Sequence, residues 1–232
     1  MARGAKTHGS QAIDDRNFKD KEARANELQR QGVALADWMS LHVEGSLECG
    51  SGVKIGPHVV MEGSVRLADD VSIGPYVYLR DVKVGARTDV RAFSCLEDVE
   101  IDADCRVGPY ARLRDGCFLS DNSSVGNFVE IKSSKIGPGA RINHLSFIGD
   151  ATFENRVTIG AGVITCNYDG EKNVPTVIRQ GAFVGCGTEL VAPIEIGQNA
   201  TIAAGSTITE DVKAGGLTVA RARQVHKDDW RR

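Results

Sequence analysis

From Val43 to Val219 an aliphatic side chain returns every sixth residue, with few interruptions. The phrase runs aliphatic, then Gly or another small or acidic residue, two variable residues, a small or β-branched residue, and one more. Clean copies begin at Ile55 (IGPHVV), Ile73 (IGPYVY), Val107 (VGPYAR) and Ile196 (IGQNAT). This period predicts an all-β solenoid, a parallel β-helix in which each phrase is one short strand plus a turn. Three phrases close a triangular coil. Stacked coils bury the Ile, Val and Leu column that one coil cannot bury alone.

The departures from the period are as informative as the copies. Phrases beginning at Leu79, Leu96, Ile131 and Ile148 have five residues and predict shortened turns. Between Ile159 and Ile178 the phrase stretches, and residues 165–177 read as an inserted loop. Insertions in repeat proteins project from one face and commonly build a binding surface. Ahead of the solenoid, residues 1–17 are polar and are expected to lack order. Residues 18–31 are rich in Lys, Glu, Ala, Arg and Leu and predict a helix stopped at Gly32. Residues 18–42 therefore read as a helical lead-in, with Leu35, Trp38 and Met39 capping the open end of the solenoid at residues 43–219. Residues 220–232 form a basic tail.

Composition narrows the function. Hydrophobic residues make up 41% but aromatics only 6%, as a narrow prism with one inward side chain per face requires. The net charge of −3 is spread over interspersed acids and bases. No basic stripe interleaved with aromatics suggests nucleic acid. No apolar run reaches spanning length, and residues 1–9 hold no secretory core, so a cytoplasmic protein is expected. Six cysteines, Cys49, Cys95, Cys105, Cys117, Cys166 and Cys186, form no C-x-x-C pair. Cys105 and Cys117 take the small inward position of their phrases. All six read as reduced thiols and not as disulfides or metal ligands.

Six segments carry more specific information: GPYARLRDG at 108–116, VGNFVEIK at 125–132, INHLSFIGD at 142–150, IGAGVITCNYDG at 159–170, LVAPIEIG at 190–197 and ATIAAGSTITEDV at 200–212. In this order they closely resemble the acetyltransferase half of the bifunctional bacterial enzyme that makes UDP-N-acetylglucosamine, a glucosamine-1-phosphate N-acetyltransferase. The resemblance is dense from Gly108 to Arg221. It implies a left-handed coil, acetyl-CoA as co-substrate, no metal for acetyl transfer, and a homotrimer with active sites between subunits. A short lead-in stands where the family has its nucleotidyltransferase domain, so the chain reads as either a stand-alone homologue or an isolated domain, without uridylyltransferase activity of its own and with a separate nucleotidyltransferase as one candidate partner.

The resemblance assigns roles. A lone histidine in a turn is ordinarily a solvated surface residue, but His144 matches the general base, which must deprotonate the acceptor amine near neutral pH. Arg114 and Lys132 match the clamp on the sugar phosphate. The Ala161 N–H matches the donor to the thioester oxygen. Asn167, Tyr168, Cys186, Ala204 and Arg221 match coenzyme A contacts, although Asn-Tyr-Asp-Gly alone would read as a plain turn. Phe147 stands where the family has a tyrosine, Thr158 where it has an asparagine, Asn173 where it has a lysine, and Cys186 where it has a serine. The first three changes surround the sugar, so glucosamine 1-phosphate competes with a different amino sugar, a nucleotide-linked one among the candidates. A β-helical carbonic anhydrase needs three metal-binding histidines, whereas residues 43–219 offer His58 and His144. A non-catalytic structural β-helix is the remaining alternative.

Overall fold

The computed structural model describes residues 9–228, with side chains from Phe18 onward. One α-helix, Gly9–Arg30, leads into a parallel β-solenoid of about ten turns. Every long strand bends across a corner and serves two faces. Arg112–Leu119 pairs in parallel with Cys95–Ile101 on one side, and with Glu130–Lys132 and Lys135–Ile136 on the other. The third face is built of two-residue strands, such as Arg106–Val107, Ser124–Val125, Arg141–Ile142 and Thr158–Ile159. The aliphatic column is sealed: Leu79, Leu96, Leu113, Ile131 and Ile148 are fully buried. Each contributes about 1.5–3 kcal/mol by leaving water, and none could do so without the coils above and below.

The corners show how the repeat turns. At the corner leading from the third face to the first, His58, Tyr76, Phe93, Tyr110, Phe128 and Leu145 all adopt left-handed φ values of 55–63°. Their five rings stack from coil to coil with centroids 4.7–5.1 Å apart, the spacing of neighbouring strands. At the next corner the five-residue phrases turn on one left-handed residue: Asp81, Asp98, Ser133 or Asp150. The six-residue phrase at Leu113 uses Asp115 and Gly116. The pairing register therefore slips between Arg114 and Cys117, where a six-residue phrase meets a five-residue one.

Three boundaries differ from those read in the sequence. The helix begins at Gly9, so residues 9–17 are helical rather than without order; residues 1–8 lie outside the described residues. Extending an existing helix costs far less than starting one, and residues 9–17 contain no proline. The solenoid also starts before Val43, because Ala34–Leu35 already pairs with Lys54–Ile55. Leu35 is thus part of the first coil, Met39 is 61% exposed and caps nothing, and the cap is the helix itself. Its Ala25 and Leu28 are buried, Phe18 meets Trp38 edge-on at 5.4 Å, and Arg24 Nη1 donates to Val43 O. His42 also lies in a solenoid strand, His42–Cys49, beside the two histidines counted above. Finally, Ile164–Cys166 and Thr176–Ile178 are strands, which trims the inserted loop to residues 167–175.

Candidate active site

Arg114 and Lys132 are direct partners on adjacent parallel strands, and Gly149 is the next partner of Lys132. They are eighteen residues apart because three phrases make one coil. Arg114 is half-buried and tied by carboxylates. Its Nε and Nη2 reach Glu130 Oε1 at 2.9 and 2.8 Å, and Nη1 reaches Asp115 Oδ2 at 2.6 Å. The bond to Glu130 raises the guanidinium pKa above its ordinary value, so Arg114 is permanently charged. Lys132 Nζ has no hydrogen-bond or ion-pair partner among the described residues.

His144 lies at the corner between the third and first faces and is exposed. Phe147 opens the first-face strand Phe147–Gly149 just after it. Thr158 pairs with Arg141 on the third face, just before it. Beneath His144 the corner repeats in register. Gly162 N donates to His144 O at 3.0 Å, Gly187 N to Ala161 O at 2.8 Å, and Gly205 N to Cys186 O at 2.8 Å. His144, Ala161, Cys186 and Ala204 thus form one column, a coil apart. Cys186 Sγ accepts the Ala161 N–H at 3.3 Å. Arg221 Cδ lies 3.8 Å from where a Gly205 Cβ would stand, which brings Arg221 beside Ala204.

The left-handed corner position changes character along this column. It is His, Tyr, Phe, Tyr, Phe and Leu down to Leu145, then Gly162, Gly187 and Gly205 with φ of 68, 63 and 70°. A Cβ would meet nothing closer than 3.9 Å at Gly162, nothing within 4 Å at Gly187, and only Arg221 at Gly205. Neither the turn nor the chain's own packing demands glycine there. The absence of side chains leaves the corner open over two coil steps, about 10 Å, beside Ala161, Cys186 and Ala204.

The inserted loop is a tight hairpin. Tyr168 and Asn173 form an antiparallel bridge, Asp169 Oδ1 accepts from Glu171 N and Lys172 N at 2.9 Å, and Tyr168 OH donates to Gly170 O at 2.7 Å. The two backbone bonds hold the Asp169 carboxyl below its ordinary pKa. Tyr168 and Asn173 are exposed, whereas Asn167 is 8% exposed and donates to Asp150 Oδ2.

The sequence-predicted residues therefore gather in two groups on one chain. His144, Ala161, Cys186, Ala204 and Arg221 follow the corner, with Phe147 and Thr158 flanking it. Arg114, Lys132, Asn167 and Tyr168 follow the opposite edge of the first face. Gly162 and Asn167 are five residues apart along one extended run, about 15 Å. Sequence reasoning missed Glu130 and Asp150, which hold Arg114 and Asn167, and the glycine column. Aligning phrases by their left-handed position would have exposed the glycines.

The segment 175–210 matches the family model for the bacterial transferase hexapeptide (six repeats). The UDP-N-acetylglucosamine acyltransferase LpxA of Bacteroides fragilis superposes with a TM-score of 0.54 at 14% identity, covering 72% of this chain and 66% of that one. The Arabidopsis UDP-N-acetylglucosamine acyltransferase gives 0.51 at 19% identity, covering 78% and 69%. The fold is a left-handed parallel β-helix. Within that class the chain is similar to the bifunctional protein GlmU. It is 47% identical over 210 residues to that of Nitrosospira multiformis, covering 90% of this chain and 46% of the relative. It is also 47% identical over 218 residues to that of Chromobacterium violaceum, covering 94% and 48%. The chain spans about half the length of these curated relatives, and the match lies in their C-terminal region. No helix among the described residues is long and apolar enough to cross a membrane.

Proposed function

We propose that the protein is an acetyl-CoA-dependent N-acetyltransferase acting on an amino-sugar phosphate, with glucosamine 1-phosphate as the acceptor. The observation that carries this reading is the glycine column at 162, 187 and 205. The same left-handed corner accepts five rings and Leu145 in the preceding coils, so its emptying reserves space for a long, thin ligand. The pantetheine arm of coenzyme A has that shape, and the open stretch starts one coil below His144.

In this reading His144 takes a proton from the acceptor ammonium, and the free amine attacks the thioester carbonyl carbon. The carbonyl oxygen gains charge against the Ala161 N–H, which first gives up its weak Cys186 Sγ acceptor. The C–S bond then breaks as the attacking nitrogen sheds its second proton and the departing thiolate takes up the proton held by His144, so coenzyme A leaves as thiol, the acetamido sugar is released, and the net proton passes to solvent. No covalent enzyme intermediate is needed. Arg114 and Lys132 hold the phosphate, and Arg221 with Ala204 meets the far end of the coenzyme. The two residue groups sit on opposite edges of one face, which favours a homotrimer in which one subunit's corner faces its neighbour's Lys132 and Asn167 edge. Such an enzyme works in the cytoplasm, where acetyl-CoA is found.

Phe147, Thr158 and Asn173 favour a second acceptor. They remove a hydroxyl, an amide and a cation from around the sugar, so a different, nucleotide-linked amino sugar is the alternative substrate. Thiol release from acetyl-CoA across a panel of glucosamine 1-phosphate, glucosamine 6-phosphate and UDP-linked amino sugars tests both. Release with none of them would remove the reading.

A further inference from the structure

We infer that Asp150 is a positioning residue that fixes the polarity of Asn167, making it a hydrogen-bond acceptor for a bound substrate; this rests on the acetyltransferase reading above. Asn167 is more than nine-tenths buried at the start of the inserted loop. Its Nδ2 donates to Asp150 Oδ2. A carboxylate can only accept, so this contact fixes which end of the amide is nitrogen. The other end, Oδ1, has no donor among the described residues, yet it is not among the atoms sealed from solvent without a partner. The side chain is therefore held with one acceptor that has no partner and is not sealed from solvent.

The surroundings keep it that way. Gly149 must lack a side chain, because a Cβ there would stand 2.6 Å from Asn167 Nδ2 and 3.0 Å from Phe147 Cε1. Gly149 N donates to Thr165 Oγ1 at 2.7 Å and not to the next strand, where pairing stops at Phe147 and Ile164. Val174 N donates to Asn167 O at 2.7 Å and closes the loop behind it. Asp150 itself turns the corner with a φ of 50° and donates its N–H to Lys132 O. Backbone geometry thus places the carboxylate, the carboxylate orients the amide, and the amide oxygen is left as the unpaired end. The matching ligand group is an N–H or O–H donor. The amides of the pantetheine arm and the amine or hydroxyls of the acceptor sugar both qualify.

The test exchanges the two groups. Asn167→Asp places two carboxylates together, and Asp150→Asn lets the Asn167 amide adopt either orientation. Asn at position 150 keeps the left-handed turn accessible, so the backbone is retained. The double variant Asp150→Asn with Asn167→Asp reverses the internal hydrogen bond and still leaves an acceptor unpaired. The expected result is a rise in one substrate's KM of about tenfold for Asn167→Asp, the value of one good hydrogen bond, less for Asp150→Asn, and recovery to near wild type in the double variant. The substrate whose KM moves, acetyl-CoA or the sugar, identifies the donor. A double variant no better than Asn167→Asp would overturn the inference, because the unpaired group would then have to be a donor; so would single variants with unchanged KM values. If wild type binds no acetyl-CoA, the functional reading itself fails, and equilibrium binding of acetyl-CoA separates that case.

Discussion

Glu130 Oε1 accepts from both Nε and Nη2 of Arg114, at 2.9 and 2.8 Å, across adjacent coils. A guanidinium held through one edge of its fork cannot wander from the face that Lys132 shares. Arg114→Lys keeps the charge but loses the fork. The expected outcome is a rise in KM for the phosphorylated acceptor of roughly 10-fold or more, the value of one charge-assisted hydrogen bond, with little change for acetyl-CoA. Glu130→Gln weakens the same hold and is expected to move the same constant in the same direction. Steady-state kinetics with each substrate varied in turn checks both.

His144→Ala tests the base. It removes an exposed side chain at a corner whose backbone bonds, including Gly162 N to His144 O, do not need the imidazole. Folding and acetyl-CoA binding are therefore expected to persist. Turnover at saturating substrate falls by roughly 10²–10⁴-fold, the usual contribution of a positioned general base. Unchanged turnover would assign the proton to another group.

Much of this architecture is legible as period. Arg114 and Lys132 are readable as neighbours because their spacing equals one coil, and the burial of Leu113 and Ile131 beside them follows from the same count. The first coil is not legible, since Asp37-Trp38-Met39-Ser40 has no glycine and resembles no other corner. The start of the helix is hidden because polar residues fit a helix or a coil equally well. The ties of Arg114 to Glu130 and of Asn167 to Asp150 are invisible for a different reason. They depend on side-chain direction across strands, and on how an inserted loop re-enters the coil. Neither leaves a trace in six-residue spacing.

Gly187→Leu separates folding from binding. Leu145 occupies the equivalent left-handed corner, and a Cβ at Gly187 meets nothing within 4 Å. The substitution is expected to cost about 1–2 kcal/mol for the left-handed conformation and to leave the solenoid intact by circular dichroism. The side chain occupies the open corner proposed for the coenzyme, so the dissociation constant for acetyl-CoA is expected to rise at least tenfold, equivalent to ~1.4 kcal/mol. Unaltered coenzyme binding in a folded Gly187→Leu variant would place the coenzyme elsewhere.

Arg179 joins three coils. Its Nη1 reaches Glu154 Oε1 at 2.9 Å, while Nε and Nη2 reach Glu195 at 2.9 and 2.7 Å. These bonds hold both carboxyl pKa values below the ordinary 4.5. A depressed carboxyl favours the folded state above its unfolded pKa and loses that contribution as pH falls through the folded value. The stabilisation is therefore present at neutral pH and fades below about pH 4.5. Because all three side chains are substantially exposed, the effect is modest and salt-sensitive. Glu154→Gln with Glu195→Gln is expected to flatten the fall in Tm between about pH 4.5 and 3, measured at low ionic strength.

Thr176 carries a buried hydroxyl with no partner. It is fully buried where the chain re-enters the solenoid after the inserted loop, and its Oγ1 makes no hydrogen bond among the described residues. Its neighbours along the column are Ala151 above and Ile194 below. Other coils place Val65, Val82 and Val99 at this position, all buried. Valine matches threonine in shape, so Thr176→Val exchanges an unsatisfied hydroxyl for a methyl without overpacking. An orphaned buried polar group costs about 1–3 kcal/mol, so the variant is expected to unfold at higher temperature or denaturant by about 1 kcal/mol. Thr176 N still donates to Asp150 O, so the loop and the Asn167 amide stay in place and acetyl transfer is expected to be unchanged. A less stable Thr176→Val variant would mean that the hydroxyl is hydrogen-bonded in solution.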